Sequence, residues 1–334
     1  MLKVAVVGCG GVAQVHGQSI AALEGAELIA CADILPERAE AYAARFGGRA
    51  YSSLDQLLAR EKPEVLHICT PHFLHVPMAI LAHRHGVHVL MEKPPAITRA
   101  QFAELEAAFA FGEGRLSICF QNRFIGAFLH LKRLAEEERY GRVLGARAFV
   151  TWKREAPYYL ESGWRGSLAT EGGGALINQS IHTLDLLAQL LGRPLGVEAS
   201  CANRHLKGVI EVEDTVEATI DFGEKKALFY ATTAYCEDSP VLLELSFEKG
   251  SARMEGNGVT ERPAGAAAIF TDYDETALGK AYWGSGHQAC IAEFYRCIKS
   301  GDAFVNDLDS VRATFSLMMG VYESAREGRP VSLT

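Results

Sequence analysis

The chain predicts an α/β protein in two domains. A doubly wound parallel sheet is expected over residues 1–120, and an α+β domain with a mostly antiparallel sheet over residues 121–334. Three observations carry this. At 334 residues the chain exceeds what one ordinary core organises. Its first third alternates short, unbroken apolar runs with helical patterns, as strands covered on both faces do. Beyond residue 140, strand-like runs follow one another with few helices between them.

The elements follow in order. "KVAVVG" (3–8) is a buried strand ending in Gly, and a helical pattern runs from there to about Leu23. "AELIACAD" (26–33) is a second strand. "PERAEAYAARFG" (36–47) has Pro in the first turn and Gly at the end, the asymmetry that helix ends favour. Then come "SSLDQLLAR" (helix), "EVLHICTP" (strand), "LHVPMAILAHRHG" (helix), "VHVLMEKP" (strand), "RAQFAELEAAFAFG" (helix) and "RLSICFQNR" (strand). In the second half, "IGAFLHLKRLAEEERYG" reads as an amphipathic helix and "RVLGARAFVTWKRE" as a long strand. "GVEASCANRHL", "VEDTVEATIDFG", "KALFYATTAYCE" and "VLLELSFEKGSARMEG" supply four more strands. "SGHQACIAEFYRCIKSG" and "DSVRATFSLMMGVYESAREG" are helices.

Composition excludes several classes. The chain is 49% hydrophobic and 22% charged, with net charge −8, and no Lys/Arg run exceeds a pair. Nucleic-acid and anionic-membrane surfaces need clustered cations, so neither is expected as a partner. Eight scattered cysteines without a C-x-x-C pair argue against a disulfide framework or zinc site, and no metal is expected. No apolar run reaches membrane-spanning length. The first residues enter a strand pattern at once, leaving no room for a signal peptide, so a cytoplasmic location is expected.

"VVGCGGVAQVHG" places Gly8, Gly10 and Ala13 in a G-x-G-x-x-A pattern, with Gly11 and Val12 inside it. The pattern follows a strand and opens a helix, the context a dinucleotide fingerprint requires. Gly8 permits the tight turn, and Gly10 lets backbone approach a pyrophosphate at the helix N-terminus. Ala13 keeps helix and sheet close. The second strand ends in Asp33, 20 residues beyond Ala13. A carboxylate there accepts ribose hydroxyls and repels a 2′-phosphate, and Ile34 offers no cation for one. NAD rather than NADP is the expected cofactor. The alternative is an Asp that only caps local backbone. Thr70 and Pro71 end a later strand at the carboxyl edge, where open α/β sheets bind ligands.

Of eleven histidines, His83, His85 and His88 surround a turn and read as solvent-facing or turn-capping. His182 differs. In "GGGALINQSIHTLD" three glycines precede a helix on which Asn178, His182 and Asp185 share a face. Polar groups stacked on an otherwise apolar helix need partners or a function. Asp185 is placed to hold the imidazole by one ring nitrogen. A hydrogen-bonded core histidine is the alternative.

The chain resembles the Gfo/Idh/MocA oxidoreductases, after glucose–fructose oxidoreductase and inositol dehydrogenase. The resemblance spans nearly the whole chain. It is carried by "GCGGVAQVHG", "CTPHFLHVPMAILAHRHGVHVLMEKP", "QNRF", "GWRG", "EGGGALINQSIHTLDLLAQLLG" and "GHQACIAEF". It implies a Rossmann domain followed by an α/β domain with a large open sheet. It also implies interconversion of a secondary alcohol and a ketone on a sugar, cyclitol or nucleotide sugar. Lys93 and His182 occupy the positions of the catalytic pair: Lys93 would hydrogen-bond the reacting oxygen, and His182 would move its proton. Many members carry Asp where this chain has Asn178, which removes a negative charge beside the pair and a proton acceptor. Glu92 would contact the nicotinamide ribose or steady Lys93, and the Lys93–Pro94 bond is expected to be cis. The His75 loop would flank the cofactor. Arg123, Trp164 and Arg165 would approach the nicotinamide end, a substrate phosphate or a carboxylate, and Tyr282 and His287 would line the substrate pocket. Relatives often associate through the open sheet, so a homodimer or homotetramer is expected. Two other readings stay open: a sensor that binds NAD or sugar without turnover, and an NAD-dependent glycosidase.

Overall fold

The computed structural model describes residues 1–273 and 284–333. They form two compact units, Met1–Gln121 with Ala277–Val311, and Asn122–Thr276 with Arg312–Thr334. The first break falls beside the expected one. The return of Ala277–Val311 to the first unit corrects the expectation of a single second domain over 121–334.

In the first unit, β1 (Leu2–Val7), α1 (Gly11–Ala22), β2 (Ala26–Ala32), α2 (Pro36–Phe46), β3 (Arg49–Tyr51), α3 (Leu54–Arg60), β4 (Val65–Ile68), α4 (His75–Arg84), β5 (His88–Glu92), α5 (Arg99–Phe109) and β6 (Leu116–Cys119) follow in turn. The strands build a parallel sheet in the order β3-β2-β1-β4-β5-β6. β4 and β6 are buried along their whole length, which is why their sequences show no alternation. Ser53 and Thr98 cap α3 and α5, accepting the N–H of Gln56 at 3.2 Å and of Gln101 at 3.1 Å. β3 was not anticipated, being three largely exposed residues without an apolar run.

The second unit holds α6 (Gly126–Glu136), β7 (Val143–Thr151), α7 (Ala156–Leu160), α8 (Ile181–Leu191), β8 (Gly196–Ala202), β9 (Thr215–Asp221), β10 (Lys226–Thr232), β11 (Leu242–Phe247), β12 (Gly250–Glu255), β13 (Gly258–Pro263) and β14 (Ile269–Asp272). After α9 (His287–Ser300), which belongs to the first unit, α10 (Leu308–Glu327) and β15 (Val331–Ser332) end the chain. The nine-stranded sheet runs β14-β13-β12-β11-β7-β10-β9-β8-β15. It is antiparallel except for the parallel β7/β10 pair. β9 and β10 alternate buried and exposed positions, as a sheet covered on one face does. "VLLELSFEKGSARMEG", expected as one strand, is the β11/β12 hairpin, and β13 to β15 were not anticipated.

α9 joins the first unit because its buried stripe of Cys290, Ile291, Phe294 and Cys297 packs beside α1, β5 and β6. Arg115 Nη1 donates to the Cys297 carbonyl at 2.8 Å. The Ile118 N–H donates to the Asn306 carbonyl at 2.9 Å, so this return segment covers the β6 edge. The helical period shows that α9 has an apolar face but not which sheet it covers. Among the described residues, no helix is long and apolar enough to cross a membrane.

Candidate active site

In the first unit the strand order reverses between β1 and β4, the place where doubly wound sheets bind ligands. Gly8, at φ 83°, makes the turn out of β1. A Cβ there would meet the Cys69 backbone at 2.7 Å, so only glycine fits. Gly10 is the opposite case: a Cβ would meet nothing within 4 Å. The open space lies at the start of α1, whose first amides take no side-chain cap. Ala13 is fully buried, and its carbonyl accepts the Tyr42 hydroxyl at 2.8 Å, tying α1 to α2. Thr70 Oγ1, just past β4, is buried with no hydrogen-bond partner among the described residues. An open approach to unpaired amides and an orphaned hydroxyl at the switch point both suit a dinucleotide phosphate.

Asp33 accepts the Cys9 N–H at 2.8 Å and the Leu35 N–H at 3.0 Å. The capping alternative is therefore realised, and each oxygen keeps a second lone pair for a ribose hydroxyl. Ile34 is 82% exposed and places no cation there. The two glycines separate fold from binding. Gly8→Ala should unfold or distort the first unit. Gly10→Ala should leave its melting temperature unchanged and weaken NAD about tenfold or more, because its methyl fills only the anion approach. Thermal melts with and without NAD, beside calorimetric titration, check the pair.

At the end of β5, Lys93 is half-buried and the Lys93–Pro94 peptide is cis. Glu92, expected to contact the ribose or steady Lys93, feels the Lys93 charge, but its hydrogen bond goes to a histidine. It is buried, and His16 Nε2 lies 2.9 Å from its Oε1. His16 Nδ1 is 2.8 Å from His67 Nδ1, and His67 Nε2 is 2.9 Å from the Tyr295 hydroxyl. His287, expected to line the substrate pocket, is also buried, with Nε2 3.9 Å from Glu92 Oε1. Cys119 Sγ brings a third donor near His16 and Glu92, but those two already engage each other. Burial alone would keep His16 neutral, yet Cys69 and Glu92 beside it raise its pKa instead. Burial also raises the Cys69 thiol, so near neutral pH Glu92 carries the attraction. Burial works against the Glu92 charge too, but His16 above all outweighs it and holds the carboxyl well below its usual range. Burial pushes His67 down and His287 down to about 4.

His75, whose loop is expected to flank the cofactor, ties two strand exits together. It is fully buried, with Nδ1 2.9 Å from the Pro94 carbonyl and Nε2 3.0 Å from the Thr70 carbonyl, so it joins the β4 and β5 exits.

In the second unit, Gly173 and Gly174 precede one π-helical turn, Ala175–Ser180, that leads into α8. A Cβ on Gly174 would collide with the Glu213 carbonyl, and one on Gly173 with the Tyr322 hydroxyl. Glu213 is the acceptor that starts this helix, taking N–H bonds from Gly174 at 3.0 Å and Leu176 at 2.9 Å and the Tyr322 hydroxyl at 3.0 Å. Asn178 and His182 are half-exposed between buried neighbours, as their shared face implied. Asp185 departs from its expected role. Its carboxylate is engaged by Arg123 through Nε at 2.8 Å and Nη2 at 2.6 Å, and by the Thr314 hydroxyl at 2.6 Å. Arg123, expected to reach cofactor or substrate, is thereby held in a buried ion pair. Arg165 stacks on Tyr158, 4.4 Å from the ring centroid, and lies 4.8 Å from that of Trp164. Glu171, fully buried, accepts Asn178 Nδ2 at 2.5 Å and the Gly166 N–H at 2.6 Å. Burial pushes its carboxyl up to about 7 despite these donors. Tyr282 lies outside the described residues.

His16, His67, Tyr295, Glu171 and Glu213 were not anticipated. His67 carried a signal, because a polar residue inside the buried run "VLHI" needs a partner.

A parallel sheet of this order, with a glycine turn at its switch point, defines the class of dinucleotide-binding Rossmann folds. The chain belongs to the Gfo/Idh/MocA family: residues 2–119 match the oxidoreductase family with NAD-binding Rossmann fold, and 128–253 the GFO/IDH/MocA C-terminal domain. It is 29% identical to D-glucoside 3-dehydrogenase of Escherichia coli over 361 aligned positions, covering 99% of this chain and 97% of that one. It is 25% identical to inositol 2-dehydrogenase of Rhizobium meliloti, covering 99% of each. The WlbA dehydrogenase of Bordetella pertussis, solved with NADH and UDP-GlcNAcA, superposes with TM-score 0.87 at 28% identity, covering 100% of this chain and 99% of that one. The chain is an NAD-dependent oxidoreductase acting on CH–OH groups.

Proposed function

We propose that the enzyme interconverts a secondary alcohol and a ketone on a sugar, cyclitol or nucleotide sugar, with Lys93 and His182 handling the proton. The observation that carries this is a half-buried lysine at the carboxyl end of β5, beside the switch point that suits the dinucleotide. Lys93 would donate to the reacting oxygen and stabilise its alkoxide character. His182 would take the hydroxyl proton in oxidation and return it in reduction. Asn178 cannot take a proton and would hydrogen-bond substrate instead. The 8–13 turn, Asp33, Thr70 and Pro71 would hold NAD, which supplies the redox couple when bound. The names of the relatives support a carbohydrate substrate.

Association through the open sheet into a homodimer or homotetramer belongs to the same proposal. The test of function is the NAD-loaded enzyme against sugars, inositols and UDP- or dTDP-sugars, read by nicotinamide absorbance. Turnover of one group is the expected result. Glycoside cleavage without net NADH would favour the glycosidase reading, and no reaction with any compound would favour a sensor.

A further inference from the structure

Within the second unit, Glu171 contacts an amide that points both ways. An ionised carboxylate only accepts hydrogen bonds, so the Asn178 atom 2.5 Å from it is Nδ2, and Oδ1 points the other way. Glu171 is fully buried, whereas Asn178 is half-exposed beside His182, one turn on. Its second oxygen takes the Gly166 N–H at 2.6 Å, so the carboxylate cannot turn without losing that bond. We propose that Glu171 is a positioning residue that fixes the Asn178 amide so that its carbonyl oxygen, rather than its NH2, is offered to a donor hydroxyl of the substrate. This rests on the dehydrogenase reading for its substrate, but the amide orientation stands on the contacts above.

The arrangement has one alternative state. Protonated Glu171 would donate its O–H to Asn178 while still accepting the Gly166 N–H. Asn178 would then turn its Oδ1 inward and its Nδ2 outward. No covalent bond changes; one proton is taken up, and the outward group turns from acceptor to donor. Burial places this carboxyl near neutrality, so both states are accessible at ordinary pH. Among the described residues, titratable and charged groups that act on it include Arg165 from the preceding loop, Tyr158 and Tyr159 from α7, and Glu213 ahead of β9. Arg165 favours the ionised form, and Glu213 opposes it. Burial raises both tyrosines, which stay neutral here.

Glu171→Gln tests the proposal without changing shape. Its carbonyl would accept the Gly166 N–H, its NH2 would donate to Asn178 Oδ1, and the amide would stay turned at every pH. The chain has only five asparagines, so isotope-labelled side-chain amide spectra are tractable, with Asn178→Asp assigning the signal. In the wild type the Asn178 amide signals should shift with one proton near neutral pH, and in Glu171→Gln they should not. For the best substrate of the sugar panel, KM should fall about tenfold from mildly acid to mildly alkaline pH. Glu171→Gln should hold the high KM throughout, with kcat changed little. Unmoving Asn178 signals in the wild type, or a wild-type KM profile in Glu171→Gln, would overturn the proposal. If no panel compound turns over, the dehydrogenase reading fails separately, and the amide titration still decides the orientation.

Discussion

Lys93→Met should lower turnover about 10²–10³-fold while NAD affinity and melting temperature stay close to wild type. That loss is the range seen when one donor to a developing oxyanion is removed. Methionine keeps most of the stem and deletes only the ammonium. The residues on either side also hold the strand exit through hydrogen bonds that the ammonium does not make. Glu92 is anchored by His16, and the Pro94 carbonyl meets His75. The variant therefore separates chemistry from fold. Steady-state kinetics beside NAD titration check it. Turnover within a few-fold of wild type would remove Lys93 from the reaction. An equal loss in NAD affinity would make it a cofactor ligand instead.

Much of the first unit was legible because its physics is local. A parallel sheet covered on both faces writes unbroken apolar strands into the sequence, and the glycine turn has a steric cause at Gly8 that a short motif reports. What stayed hidden depends on partners distant in sequence. α9 reaches β6 from more than a hundred residues away, and its own pattern names no target. The same holds for single residues. Helical spacing put Asp185 on the face of His182, but Arg123 and Thr314, which no spacing links to it, engage its carboxylate. The sequence around Glu92 points to its neighbour Lys93, whereas its hydrogen bond is with His16, 76 positions earlier. In the sequence, Asn178 shows only a charge that many relatives have and this chain lacks. The nearby carboxylate of Glu171, seven residues before it, came into view only with the fold.

The buried histidine chain should make the first unit most stable just above the ordinary histidine pKa, and removing His16 should cost about 3–5 kcal/mol there. The cost follows from leaving Glu92 as an unpaired buried charge, far more expensive than an absent pair. The pH dependence follows from the directions of the shifts. His287 is held at about 4 in the fold against an ordinary value of 6.5, so between those limits the unfolded chain binds the extra proton. Stability then falls as the pH falls, by about 1.4 kcal/mol per unit and roughly 3 kcal/mol in all from this group. His67, also pushed down by burial, adds to the same limb. His16 is raised, so its contribution is complete below 6.5 and fades only as the pH climbs toward its folded value. Glu92 is lowered, so its contribution holds above the usual carboxylate range and is lost only in stronger acid. Hydrogen exchange of the β5 amides across pH reads this unit directly. His287→Gln should flatten the acid limb by one proton while leaving the alkaline limb in place. An acid limb unchanged in that variant would mean that His287 is not what the unit loses on acidification. His16→Ala should lower protection of β5 at neutral pH by the amount above, and a loss under 1 kcal/mol would mean that Glu92 finds another partner or takes up a proton.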